Sequence, residues 1–536
     1  MKILVVEDGR CAAEYLRQGL TENRYAVDEA LAHEMRTPVA TLLGRTQVAL
    51  ARQRSVERLH ECSNGSCAWT RPEPQASTLI SACLSLDEII SHHHEPALQH
   101  AAHSGCAEAQ FKLAVWTCLR HDQPKVCARW LGAAAAQGHQ PAVRARAALE
   151  NATAGDGMLQ LARSVCLDGS IRIEAVAAQA AKALAEEGDI YGLARCLRIA
   201  LTVAPGAKPL FAHSVVEVVR LAEQAASALP GIGAAEVESC LDLVASDGNP
   251  SAAYVMGRAL CGIPCGQVPA ENLVTSSNLR KGAALLLRAA DAGCDDAWMH
   301  LYRVHADHRC SVANPLMARF FLEKAATLGD VEAQRRLGAL ILRSSSGLKH
   351  SEQGIHWLHE AARQGDTLAM RLLKSLVLAL PGEDEHADHA IESIRPTAPW
   401  LAMRLRLSRD FGLTKLEALC LDPCEAKRPW GLVVGKNPFI ALSKLSAPRA
   451  VPAVSPAALD SLHRASLYFE ESKSSGGTFE GDWRHRSLQQ RRVFARHHID
   501  EDQFFVRANS RTLDAMRQGA RWALRAKHPL HLALAG

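Results

Sequence analysis

Five short stretches of this chain carry one pattern, Ala-Ala-x-x-Gly-x-x-x-Ala, and that repetition limits the fold more than any other feature. They are Ala101-Ala102-Gly105-Ala109, Ala134-Ala135-Gly138-Ala142, Ala289-Ala290-Gly293-Ala297, Ala325-Ala326-Gly329-Ala333 and Ala361-Ala362-Gly365-Ala369. The glycines lie 33 residues apart from Gly105 to Gly138, and 36 apart from Gly293 to Gly329 and again to Gly365. Two helical patterns fit in each period, which is the size of a helical hairpin that stacks on copies of itself. The alanine pair belongs in the last turn of one helix, where small side chains admit a close neighbour. The glycine suits the left-handed residue that ends the helix. Asp330 and Asp366 follow directly and suit the start of the next helix as caps. The later alanine falls on that next helix at its closest approach to the first. Eight residues before the glycine, Trp130, Phe321 and Trp357 supply a large ring to fill the gap between hairpins. Weaker copies centre on Gly188 and Gly248, and the pattern decays between Thr202 and Ser239, where irregular helices are expected.

Composition agrees with helices. Hydrophobic residues make up 48% of the 536, aromatic residues only 5%, and alanine dominates the apolar set between residues 97 and 230. Alanine has the best helix propensity, whereas strands favour β-branched and aromatic residues. The predicted fold class is all-α: an α/α helical-hairpin repeat solenoid, with a small truncated β/α piece at the N-terminus and a separate basic helical region at the C-terminus. No apolar run reaches the ~20 residues that a membrane span needs, and the start, with Glu7 and Asp8 in its apolar stretch, is unlike a secretory signal. A cytoplasmic location is expected, and there the sixteen scattered cysteines read as small buried apolar residues.

The motifs Trp357-Leu-His-Glu-Ala-Ala-Arg-Gln-Gly-Asp366 and Phe321-Leu-Glu-Lys-Ala-Ala-Thr-Leu-Gly-Asp330 resemble the Sel-one-like repeat family, which is tetratricopeptide-like. The resemblance spans about residues 81–380, strongly at both ends and loosely in the middle. It implies a right-handed superhelix with a concave groove, and a non-enzymatic adaptor or scaffold that binds a protein or peptide partner. No cofactor is implied.

The first sixty residues read differently. Ile3-Leu4-Val5-Val6 reads as a strand ending in Glu7-Asp8, a helix with Ala13, Leu16 and Leu20 on one face follows, and Tyr25-Ala26-Val27 suits a second strand. Residues 1–30 resemble the opening of a heavy-metal response-regulator receiver, in which Glu7 and Asp8 would help hold Mg²⁺. No phosphoacceptor aspartate follows at a plausible spacing. Residues 31–61, beginning Leu31-Ala32-His33-Glu34-Met35-Arg36-Thr37-Pro38, resemble the H-box helix of a sensor histidine kinase. That likeness would make His33 a phosphoacceptor and Glu34 its proton acceptor, with Pro38 kinking the helix. No asparagine box or glycine-rich lid follows, so autonomous kinase activity is excluded. A phosphorelay role for His33 is the alternative to the adaptor. Residues 62–80, rich in Ser, Gly and Pro, read as a linker.

Other candidates are weaker. His92-His93-His94 with His100 and His103 lack a fixed third ligand, and the pairs Cys62/Cys67, Cys261/Cys265 and Cys420/Cys424 are each half a site, so no metal is expected. Gly231-Ile232-Gly233 is a turn and not a dinucleotide loop. Residues 381–399 read as an acidic, proline-bounded linker. Residues 400–536 read as a C-terminal helical region, in which Phe411 to Leu416 has a turn-then-cap look and Trp430 to Gly435 suits a strand or buried loop. Pro448, Pro452 and Pro456 mark another linker. From Arg484 onward eleven Lys or Arg face four Asp or Glu, so this tail is strongly basic in a chain of formal net charge +4. Arg484, Arg486, Arg491, Arg492 and Arg496, with Trp483, Phe494 and Trp522 nearby, could grip phosphates and stack bases. A nucleic-acid partner is therefore the second alternative, although a solvated basic helix face is the commoner use of such residues.

Overall fold

The computed structural model describes residues 2–4, 26–28, 84–121, 123–152, 156–229, 231–345, 347–381, 383–435, 448–474, 481–507 and 527–535. The chain divides into two compact units, Met1–Ser77 and Thr78–Gly536. In the first, β1 (Lys2–Leu4) and β2 (Ala26–Asp28) pair in parallel, with Ile3 opposite Val27. His33, Glu34 and the rest of the kinase-like stretch lie outside the described residues.

The second unit begins as a run of helices: α1 (Leu86–Ser91), α2 (Glu95–His103), α3 (Ala107–Arg120), α4 (Pro124–Ala136), α5 (Gln140–Glu150), α6 (Gly157–Asp168), α7 (Ile173–Glu187), α8 (Ile190–Val203) and α9 (Lys208–Gln224). It continues with α10 (Ala234–Ser246), α11 (Pro250–Leu260), α12 (Leu279–Asp291), α13 (Asp296–Ala306), α14 (Pro315–Thr327), α15 (Val331–Arg343), α16 (Leu348–Arg363) and α17 (Thr367–Leu376). The protein is an all-α helical repeat solenoid.

One corner geometry recurs along it. Gly105, Gly138, Gly293, Gly329 and Gly365 all have φ between +78° and +97°. At Gly329 the glycine N–H donates to Ala326 O, and the next N–H, of Asp330, donates to Ala325 O, both at 3.1 Å. The other four corners repeat this pair of bonds onto their own two alanines. Such a Schellman closure satisfies carbonyls that the helix end leaves over. At two of these corners an aspartate after the glycine caps the next helix with its side chain: the Asp330 and Asp366 carboxylates accept from the N–H groups of Ala333 and Ala369 at 2.6 and 2.7 Å. The link is short, because the third residue past one helix is already the cap of the next. Ala109, Ala142, Ala297, Ala333 and Ala369 receive these corners and are fully buried. Gly188 and Gly248 close their helices the same way.

Between one hairpin and the next, the helices cross on small residues. Gly338 of α15 and Gly354 of α16 meet so closely that a Cβ on Gly338 would lie 2.7 Å from the Gly354 carbonyl oxygen. Gly257 of α11 and Gly282 of α12 repeat this. In the first hairpins Ala114 and Cys127 take the corresponding places, the Cys127 thiol 3.5 Å from the Ala114 carbonyl oxygen.

Two stretches of the array pack differently. From α10 to α17 each helix lies against the next in the chain. In the first stretch α1 and α3 also reach α7, and α3 reaches α6 and α8. Buried Lys112 of α3 donates to the Leu84 carbonyl at 3.0 Å, and Arg172 pairs with Asp87 at 2.7 Å. The glycine spacing explains the break in order. It stretches to 50 residues from Gly138 to Gly188 and to 60 from Gly188 to Gly248, and each interval holds one extra helix, α6 or α9.

The irregular helices expected between Thr202 and Ser239 are not what forms. α9 is seventeen regular residues with Phe211, Val215, Val218, Val219 and Ala222 buried at helical spacing. Its end imitates the corner without glycine: Ala226 takes φ +48°, donating to Glu223 O, while Ser227 donates to Ala222 O. The signature is missing because alanine occupies the left-handed position.

The C-terminal region has its own core and also closes the array. It comprises α18 (Asp384–Ile394), α19 (Pro399–Phe411), α20 (Lys415–Cys420), α21 (Pro423–Ala426), the antiparallel strands β3 (Lys427–Arg428), β4 (Gly431–Val434) and β5 (Arg449–Pro452), then α22 (Pro456–Ser474), α23 (Trp483–His497) and α24 (Lys527–Ala535). Two expectations change here. Residues 381–399 are not a bare linker, because Ala387, Ile391 and Ile394 of α18 are buried; their helical spacing is masked in sequence by Asp384, Glu385, Asp388 and Glu392. The proline-marked stretch contains buried β5, an edge strand of the described sheet, where Pro452 is tolerated. Arg449 of β5 is buried against fully buried Glu417, 3.1 Å away, and Glu417 also closes the capping box of Thr414. Trp430, Val433 and Ala450 share a cluster with Leu358, Leu372 and Leu376 of the last hairpin.

Candidate binding surface

The rings placed by the repeat pattern sit between hairpins. Trp130 meets His103 of the preceding hairpin edge to face, ring centres 5.0 Å apart. Phe321 packs on Trp298 and His305 of the preceding hairpin at 5.9 and 5.1 Å. Trp357 is half-buried against the core of the array.

Sequence reasoning missed a polar relay that links successive hairpins. Buried Gln110 donates to the Ala102 carbonyl at 3.1 Å and accepts from Gln137 at 3.0 Å. Gln334 and Gln364 repeat it two hundred residues later, at 3.2 and 2.9 Å. Each relay places a glutamine five residues after one corner glycine and another just before the next, and that spacing was the available signal. Arg335 adds a charge to the second relay, its Nε 3.1 Å from the Asp366 carboxylate with both groups largely buried. These side chains tie successive hairpins together.

A second buried polar group joins α11 to α13. Arg258 bonds Glu223 at 2.6 Å and the Pro264 carbonyl at 2.5 Å, and the Tyr254 hydroxyl lies 3.1 Å from His300 Nε2. Burial, with the nearby Arg258 and Arg303 charges, lowers the His300 pKa to about 4. Burial also raises Cys261 and Cys265 to about 11 and Cys196 to about 12, so these thiols stay protonated and inert. Among the described residues no three His, Cys, Asp or Glu are grouped to hold a metal. His93 has another use: at φ +56° it is the left-handed residue that closes α1.

The surface with the most to offer a partner is the outward side of α14. Leu316 is 81% exposed, and Phe320, one turn on, is 44% exposed beside Met317. Lys324 Nζ sits 5.6 Å from the Phe320 ring centre, and Trp298 meets that ring edge to face. On α12, Leu287 and Arg280 are exposed, while Lys281 pairs with Asp242 at 2.8 Å and Arg288 donates to the Ala245 carbonyl. Monomers rarely gather exposed large apolar side chains without a use for them.

The basic tail is divided in role. Arg486 is half-buried and donates to the carbonyls of Gly481 and Leu419 at 3.0 and 2.9 Å, which anchors α23 to α20. Arg484, lying over the Trp483 ring, and Arg491, Arg492 and Arg496 are exposed on α23. Trp522 lies outside the described residues. No single described helix is long and apolar enough to cross a membrane.

These features define a helical-hairpin repeat protein. Four of its segments, residues 107–139, 250–294, 310–330 and 331–366, match the Sel1 repeat. Solved structures similar to the chain include a Sel1 repeat protein from Oxalobacter formigenes, 17% identical, covering 67% of this chain and 99% of that one with a TM-score of 0.26. Another is a protective antigen of uropathogenic Escherichia coli strains that displays an SLR fold, also 17% identical, covering 60% of this chain and 73% of that one with a TM-score of 0.24. No curated protein matches the chain.

Proposed function

We propose that the protein is a non-enzymatic adaptor that binds a protein or peptide partner on its repeat array, with the first helices of the later hairpins as the reading face. The observation that carries this is the exposed apolar row Leu316, Met317 and Phe320 on α14, on a helix whose opposite side, Phe321, Leu322 and Ala325, is buried in the stack. A rigid array holds such side chains at fixed spacing, so a partner gains their burial without ordering the protein first. Lys324 beside Phe320, and exposed Arg280 on α12, favour a partner segment that alternates apolar and acidic residues.

The reading is tested by affinity capture with the full chain, comparing wild type with a Leu316→Asp, Phe320→Ser double variant in quantitative mass spectrometry. Both residues are exposed, so the variant should melt with the wild type. Proteins captured by the wild type and lost from the variant are the expected result. Identical capture by both would refute this face.

A further inference from the structure

The last nine described residues form a helix held in place by very little. α24 (Lys527–Ala535) packs against α15 and α17, the second helices of the last two hairpins. Leu530 and Ala533 are buried in the cluster made by Ala339, Leu342, Leu372 and Leu373, and Leu534 is half-buried on it. Lys527, His528 and His531 face outward. The buried positions follow i, i+3, i+4 spacing, so one narrow apolar stripe makes the contact. No side-chain hydrogen bond or ion pair joins α24 to another described residue. The helix is also too short to persist alone, since isolated helices below about 12 residues are marginal in water, and Pro529 sits within its first turn.

The elements beneath have caps and pairings of their own. Asp330 and Asp366 cap α15 and α17, β4 and β5 bond to each other, and β5 closes against α16 and α17. What α24 adds is apolar cover, with Leu530 and Ala533 buried in the same cluster as Ala339, Leu342, Leu372 and Leu373. A helix this short needs that contact to persist.

We propose that the outer surface of α15 and α17 is a docking site for a short amphipathic helix, occupied in cis by α24 as a releasable plug. A helix with the same Leu-x-x-Ala-Leu stripe competes for the site. This surface is separate from the exposed row on α14, so the proposal stands independently of the function above.

The test uses the full chain and a labelled peptide of residues 525–536, followed by fluorescence anisotropy. Leu530→Asp in the full chain should release the plug, because a carboxylate cannot stay in that cluster. The variant is expected to bind the peptide at least about tenfold more tightly than wild type does, since wild type presents a tethered competitor. A peptide carrying Leu530→Asp should not bind either chain. Equal binding by both chains, or no binding by a variant that keeps its helical circular dichroism, overturns the proposal. Should the variant lose that signal, hydrogen exchange on unaltered wild type decides. Excess peptide must speed exchange in residues 527–535 while 331–343 and 367–376 stay protected, and no change there counts against a releasable plug. A wild-type dimer that Leu530→Asp makes monomeric would assign the occupant to a second copy and overturn the cis arrangement.

Discussion

The two stretches of the array, α1 to α9 and α10 to α17, are built from the same corner yet pack by different rules. In the later stretch each hairpin meets its neighbours in order, and glycine pairs at 257/282 and 338/354 let the crossings close tightly. In the earlier stretch the extra helices α6 and α9 break the period, and α1 and α3 fold against α7. The difference teaches that the corner decides how a hairpin turns, while uninterrupted pairing decides whether hairpins line up. One added helix changes the neighbour that the next hairpin meets. The earlier stretch should behave as one cooperative body and the later one as linked units, as nearest-neighbour stacks do.

Several substitutions sharpen that contrast, beginning with the largest effect. Asp366→Ala removes a helix cap and the partner of Arg335, leaving a buried charge, and should cost about 3 kcal/mol in urea unfolding. Asp366→Asn keeps the cap and loses only the charge, so it should cost clearly less; equal losses would show that the cap is immaterial. Gly338→Val drives side-chain atoms into the Gly354 backbone and should cost about 2 kcal/mol, as overpacking does. An unchanged midpoint would mean that the crossing has slack.

Gly329→Ala meets no atom within 4 Å, so its expected cost of about 1.5 kcal/mol is purely that of a left-handed alanine. Ala226→Gly is its mirror in an interrupting helix and should stabilise by about 0.5 kcal/mol. If both changes moved stability in one direction, the shared corner geometry would be wrong. The pH dependence probes α13 in the later stretch. Folded His300 resists protonation until about pH 4, whereas the unfolded chain takes up that proton near the ordinary 6.5. Stability should therefore fall as pH drops from 6.5 toward 4, by about 1 kcal/mol at about pH 5.5. In His300→Gln that part of the slope should disappear, and a slope that persists in full would point to other groups.

The corners were legible in sequence because each place admits few residue types: alanine where backbones touch, glycine at positive φ, aspartate at the cap. The rings Trp130, Phe321 and Trp357 were legible for a similar reason, as bulk recurring at one offset. α9 was obscured because Ala226 does a glycine's work, and α18 because four acidic residues surround its buried stripe. β5 was hidden by prolines that fall at its edge. The glutamine relays and the docking of α24 depend on partners distant in the chain, which local pattern does not reveal. The α14 row was invisible for another reason: Leu316 and Phe320 look like core residues until the stack shows which side is covered.

Hydrogen exchange on two corner variants tests the central contrast most directly. Gly329→Ala should speed exchange only in α13 to α16, around its own hairpin. Gly188→Ala should speed it in α7 and α8 and also in α1 and α3, some seventy or more residues earlier in the chain. A disturbance that stays local in both variants would contradict the account.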